Sequence, residues 1–390
     1  MSDHPSFKVL IVGGGCAALE AAFRLQRVAE GKVDTTILAP DEHFVTQAFA
    51  VLVPFAAGHT PHESLAGMAS AAGARHRRGR LASVDSANHR VLTDEGETID
   101  YDALLIAVGA VKHAPCSRVL TFGDPGTEER MHGLIQDLEA GYVRRIAFVV
   151  PDGASWPVPL YELALMTAER AYDMGQNCTL TLATPEESPL GMFGADASRA
   201  LAARLAQAGV ATLTGVHVDA PRAGVIELHP GDDQLSVDRI VSLPQLEGPA
   251  VEGLPRDAQG FLEVDRHGRI AGVADVYAAG DATSFPIKQG GLACQQADAA
   301  AETMAAQAGA AIHPQPYEAL LQGVLLTERD ATYMRRDAGG AAGESPAQDL
   351  WWPPSKIAGR ELARHIGGPP RRFAPAKGKG VEIRVPVTDA

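Results

Sequence analysis

FKVLIVGGGCAALEAAFRL, residues 7–25, reads as a buried strand, a glycine turn and a helix in immediate succession. Residues 7–12 form an apolar run of strand length. The turn that follows, Gly13, Gly14, Gly15, Cys16, Ala17 and Ala18, fits G-x-G-x-x-G/A. Gly13 makes the tight turn, Gly15 lets the backbone approach a pyrophosphate, and Ala18 is small enough for close helix–strand packing. Apolar Leu19, Ala22, Phe23 and Leu25 mark the helix, whose positive end would face the pyrophosphate. A second strand over residues 33–39 completes a βαβ unit. A glycine-rich turn with no ligand would look the same locally. The carboxylate that usually holds a ribose after the second strand is missing. Ala39 and Pro40 stand there, with Asp41 or Glu42 as substitutes from the loop.

The rest of the chain is consistent with a dinucleotide-binding architecture. Its 390 residues suffice for two or three domains, and 46% hydrophobic with 21% charged residues is ordinary for a globular protein. The net charge of −14 argues against a nucleic-acid groove. No apolar run reaches the roughly 18–20 residues of a membrane span. The N-terminus lacks a basic flank followed by an apolar core, so a cytoplasmic location is expected. Cys16, Cys116, Cys178 and Cys294 are widely separated, without the spacing of a zinc site or a local redox pair, and no metal is expected.

Residues 73–101 alternate short β-like runs with turn signals, and YDALLIAVGA (101–110) is another buried strand. Strands at 144–150, 179–183 and about 210–214 alternate with helices at 160–174 and about 195–208. A strand at 275–279 ends in GDAT, and an alanine-rich helix runs from about 291 to 308. Residues 315–390 read as irregular.

GGGCAA, YDALLIAVGA and VYAAGDAT, in this order, resemble the three FAD signatures of the two-dinucleotide-domain flavoproteins, the pyridine nucleotide-disulfide oxidoreductase superfamily. The first βαβ unit is followed by no CxxxxC pair, and PIKQGGLACQQAD lies near residue 290. Both features make the chain most similar to sulfide:quinone oxidoreductases, flavocytochrome c-type sulfide dehydrogenases and type II NADH dehydrogenases. The resemblance implies an α/β fold with two Rossmann-like dinucleotide-binding domains. An FAD domain (1–113 and 246–314) would be interrupted by a degenerate NAD(P)-type domain (114–245), with a small C-terminal region (315–390).

The resemblance also implies non-covalent FAD. Gly13 to Ala18, with Ala39, Pro40 and Leu81, would hold its adenosine and pyrophosphate. Ala107, Val108, Gly109 and Gly280 would contact it through the other loops, and Asp281 would accept from the ribityl or pyrophosphate portion. Asp281 as a turn cap is the plain alternative. Lys288, Gly290, Gly291 and Leu292 would lie at the pyrimidine end of the flavin, where a cation or helix N-terminus stabilises the charge that develops on reduction. Lys288 is otherwise a surface lysine.

The second glycine turn is degraded. Pro151, Gly153 and Trp156 fall where Gly13, Gly15 and Ala18 fall. Proline supplies neither a flexible turn nor an N–H, and tryptophan is too bulky for close packing. NAD(P)H in the usual pose is therefore doubtful; held otherwise, it would place Glu186 near a ribose. GASWPVPLYE (153–162) resembles the sulfide:quinone family's GASCxGPxYE, with Trp156 in the place of a catalytic cysteine and Glu162 retained. The second family cysteine, expected after Tyr317, is also absent. Sulfide chemistry needs a thiolate, so the family's sulfide mechanism is not expected.

Trp156 either lines a substrate slot with Tyr161, Phe44 and Phe49, or fills space vacated by a nicotinamide. His43 is the remaining acid–base candidate in HFVTQAFAVLVPF. Cys294, on the first turns of its helix, is either an activated thiol or small apolar packing. Residues 351–380 carry Lys356, Arg360, Arg364, Arg371, Arg372, Lys377 and Lys379 against Glu361. Trp351 and Trp352 with a short basic helix either lie at a membrane interface or, the favoured reading, dock on the FAD domain.

The function these features imply is an FAD-dependent oxidoreductase. It would pass electrons from a small-molecule donor through flavin N5 to a small acceptor such as a quinone, without catalytic cysteines. A reductase with a non-standard NAD(P)H site and a non-catalytic flavin scaffold are the alternatives. The sequence leaves a homo-oligomer open.

Overall fold

The computed structural model describes residues 6–116, 118–153, 156–231, 233–337 and 356–366. The apolar runs become the centre of a five-stranded parallel sheet, in the order 276–278, 103–106, 7–12, 33–39, 75–78. Parallel strands covered on both faces need near-continuous apolar sequence, which FKVLIV and ALLI supply. Helix α1 (Cys16–Val28) returns across this sheet, and α2 (Leu65–Ala71) precedes its edge strand.

A second five-stranded parallel sheet runs 120–121, 239–242, 145–149, 179–183, 210–213. Helices α3 (Thr127–Glu139), α4 (Val158–Asp173) and α5 (Ala195–Gln207) belong to this part of the chain. Pro159 lies in the first turn of α4, where no intrahelical N–H is needed, so the proline-rich loop still nucleates a helix. The last helix, α6 (Gly290–Gln307), packs on α1 through small residues. Ala18, Ala21 and Ala22 meet Ala293, Ala297 and Ala301 in one buried cluster. Phe23 in the same cluster contributes roughly 1.5–3 kcal/mol by burial.

Two stretches depart from expectation. Residues after 315 are not irregular throughout: Leu320–Leu326 and Ala331–Asp337 form an antiparallel hairpin. Thr327 and Asp330 close its turn, with Thr327 N–H donating to the Asp330 carbonyl at 2.9 Å. The apolar strand LLQGVLL is buried from Leu321 on, within the cluster that holds α4, which explains its lack of alternation.

The tail's expected short basic helix is also absent from residues 356–366. They form a strap across α1 and α6 with one 3-10 turn, Leu362–Arg364. Glu20, buried in α1, accepts the backbone N–H groups of Glu361 at 2.8 Å and Leu362 at 2.7 Å. Glu361 pairs with Arg24 and Arg27 at 3.3 Å each, and His365 stacks on Phe23 at 3.9 Å. Arg360 and Arg364 face Glu302 and Glu361, so these tail cations are used within the protein. Trp351, Trp352, Arg371, Arg372, Lys377 and Lys379 lie outside the described residues. Among the described residues no helix is long and apolar enough to cross a membrane.

Candidate active site

A cavity of about 1120 Å³ opens at the carboxyl ends of the first sheet's strands. Open α/β sheets bind ligands at that edge. Its wall begins at Val12, Gly13, Gly14 and Gly15, continues through Cys16 and Ala17, and includes Pro40, Leu81, Ala107, Val108, Gly109, Gly280, Asp281, Lys288 and Gly290. Four of the cofactor-binding candidates do not reach it. Ala18 and Ala39 are fully buried behind it, Gly291 is buried, and the Leu292 N–H is capped by the Gln289 side chain at 2.9 Å.

The glycine turn has a steric reason. A Cβ on Gly13 would lie 2.1 Å from the Ala107 carbonyl oxygen, and its φ of +123° is one that only glycine adopts readily. At Gly15 a Cβ would meet nothing within 4 Å, so the turn leaves open space just before α1. A bare backbone turn feeding a helix N-terminus is the donor set that a pyrophosphate needs.

Asp281 completes the fit. The Gly280 N–H donates to Gln296 on α6 at 2.7 Å, which pins the turn. Burial pushes the Asp281 carboxyl up from its usual range, against the pull of Lys288 and Lys112. It has no hydrogen-bond partner among the described residues, as suits a carboxylate awaiting a sugar hydroxyl. These residues fit FAD.

Lys288 is not an ordinary surface lysine. Its Nζ sits 3.8 Å from the Phe261 ring centroid and donates to the Thr283 carbonyl. Burial pulls its pKa down to about 8, offset in part by Asp281 and Asp257.

The other part of the wall is apolar: Phe122, Trp156, Pro159, Leu243 and Val324, with Phe44 and His43 on the short strand His43–Val45. Trp156 meets Phe193 edge to face at 5.9 Å. Tyr161 and Phe49, expected beside it, lie in the core. The Tyr161 hydroxyl donates to Glu186 at 2.6 Å, and Glu186 also accepts from Thr184 at 3.0 Å. The carboxylate expected near a nicotinamide ribose is thus engaged by the protein.

Into this apolar wall the strap inserts Lys356. Its Nζ lies 2.7 Å from both carboxylate oxygens of Glu162, and the two side chains are 8% and 0% exposed. Glu162 also accepts the Leu326 N–H at 2.7 Å. Burial lowers the Lys356 pKa and raises that of Glu162, moving the two toward each other. Sequence reading kept Glu162 as a family position but treated Lys356 as one basic residue of the tail.

Of the two readings of Cys294, burial favours small apolar packing. The residue is fully buried, and burial with Glu20 nearby pushes its thiol well above the usual value. Cys16 lines the cavity, yet burial and Asp281 push its thiol up to about 12. All four cysteines are free.

The sequence matches the pyridine nucleotide-disulphide oxidoreductase family over residues 7–303. An NADH dehydrogenase-like protein of Mycobacterium tuberculosis is 28% identical over 293 residues, 70% of this chain and 72% of that protein. Among solved structures, the sulfide:quinone oxidoreductase of Aquifex aeolicus superposes with a TM-score of 0.78 at 19% identity, covering 85% of this chain and 84% of that one. NDH2 of Plasmodium falciparum in complex with NADH superposes with a TM-score of 0.58 at 15% identity, covering 71% and 64%.

Proposed function

The chain belongs to the pyridine nucleotide-disulphide oxidoreductase family, and from that premise we propose that it is an FAD-dependent oxidoreductase whose acceptor is a small quinone-type molecule, reduced without a catalytic cysteine. Bound FAD would supply the two-electron redox chemistry. The observation that carries the reading is Lys356, which lines the cofactor cavity and is paired with the fully buried Glu162. A quinone takes up protons with its electrons, and such a ring needs both an apolar slot and a nearby proton source. Trp156, Phe122, Leu243 and Val324 provide the slot and exclude water. Lys356 Nζ holds a proton that burial makes easier to release than that of an exposed lysine. Lys288, on the same cavity, would offset negative charge on the reduced cofactor. The reading assigns no step to the thiols: burial pushes those of Cys16 and Cys294 up from their usual range.

A second reading has NADH as donor, since the M. tuberculosis relative is NADH dehydrogenase-like and the P. falciparum neighbour is a complex with NADH. Against a standard pose stand Pro151 and Trp156 in the second turn and the Tyr161–Glu186 bond. Anaerobic titration of the purified protein with NADH and NADPH, followed by flavin absorbance, decides this point. Rapid bleaching supports a nicotinamide donor; no bleaching, with normal reduction by dithionite, directs the search to other metabolites. Replacing all four cysteines by alanine leaves quinone reduction intact on either reading where the variant keeps its FAD, and loss of turnover at full FAD content would overturn both.

A further inference from the structure

The segment RHRRGR, residues 75–80, places four arginines at the edge of the first sheet, and three are paired. Arg75 bonds Asp34 at 2.8 Å, Arg77 pairs with Glu97, and Arg78 bonds Glu42 at 2.6 Å. Arg80 differs. Its guanidinium has no partner among the described residues, and the residue lines the cofactor cavity. Asp41 lines the same cavity and is equally without a partner, whereas Glu42, the other substitute carboxylate, is tied to Arg78 and lies off the wall. Two opposite charges on one wall are unpaired among the described residues.

Chain geometry brings them to one end. Asp41 follows the 33–39 strand by two residues. The Gly79 N–H donates to the Ala39 carbonyl at 3.2 Å, which holds the Gly79–Arg80 connector against that strand's end. A Cβ on Gly79 would come within 3.0 Å of Leu38 Cδ1, so glycine permits the approach. The end of the second strand is where a dinucleotide's adenosine ribose lies in this fold. Here that position is Ala39, which has no polar side chain to offer.

We propose that Asp41 and Arg80 together form the adenosine clamp of this protein, replacing the absent carboxylate. Asp41 accepts from the ribose hydroxyls, and Arg80 lies on the adenine face or reaches the adjacent phosphate. The inference rests on the FAD reading above. It makes these two residues determinants of FAD against FMN, which lacks the adenosine half.

The test uses apoprotein and flavin fluorescence to measure Kd for FAD and FMN in wild type, Asp41→Asn and Arg80→Gln. Neither side chain bonds another of the described residues, so both variants should melt with wild-type apoprotein. Loss of a hydrogen bond to a charged group corresponds to about tenfold or more in Kd. The clamp predicts that FAD weakens by about that factor in each variant while FMN is unchanged. FAD affinity within about twofold of wild type in both variants, or equal weakening of FMN, overturns it. Wild-type apoprotein that binds neither flavin would overturn the FAD reading itself, a distinguishable outcome.

Discussion

Glu162→Gln is the most demanding single test of the site. The substitution keeps the side-chain shape and an oxygen to accept the Leu326 N–H, but removes the charge opposite Lys356. The ammonium is then left 8% exposed with no counter-charge at its 2.7 Å partner. Breaking a buried pair from one side costs about 3–5 kcal/mol, because the remaining charge has already lost its water. Removing both charges avoids that penalty, so Glu162→Gln with Lys356→Met should lie much closer to wild type than either Glu162→Gln or Lys356→Met alone. Urea unfolding followed by tryptophan fluorescence and circular dichroism gives the three values relative to wild type. A cost below about 1 kcal/mol for Glu162→Gln would refute the reasoning. So would a double variant that loses the sum of the two single losses, since independent sites add. The same variants carry the functional claim: quinone reduction should fall in Lys356→Met even where FAD content is normal.

Other expectations follow from single contacts. Gly13→Ala should yield protein with little bound FAD, because the new methyl would lie 2.1 Å from the Ala107 oxygen; cofactor absorbance per chain measures it. Gly323→Ala places a Cβ 2.6 Å from Phe193 Cζ and 3.2 Å from Trp156. It should therefore raise KM for a quinone several-fold through displacement of Trp156, with FAD affinity unchanged. Lys288 titrates near 8 in the folded chain against 10.5 ordinarily, so the unfolded chain binds more protons between those values. Apoprotein stability should consequently gain with rising pH from about 8 to 10.5 relative to Lys288→Met, as thermal melts across that range would show.

The first βαβ unit was legible in sequence because its signals are local: an apolar run, glycines at fixed spacing and a helical period lie within about thirty residues. YDALLIAVGA and VYAAGDAT were legible for the same reason. The degraded second turn was also readable, since proline and tryptophan each break a stated requirement of the motif. What escaped depended on residues far apart in the chain. Lys356 and Glu162 are separated by 194 positions, and nothing local distinguishes Lys356 from a solvated basic residue. Nothing local distinguishes Arg80 from Arg75, Arg77 and Arg78, whose partners come from other parts of the chain. The Leu320–Leu326 hairpin was hidden because a buried strand loses the alternation that announces an exposed one. Cys294 stayed open between two readings because helix position is visible in sequence, whereas desolvation is not.

Reoxidation of the bound flavin tests the central claim most directly. Protein reduced anaerobically with dithionite, freed of excess reductant and mixed in a stopped-flow instrument with a soluble short-chain quinone, should regain its oxidised flavin absorbance at a rate that rises with quinone concentration. Flavin that stays reduced over minutes at every quinone concentration, in protein with a full complement of FAD, would contradict the account.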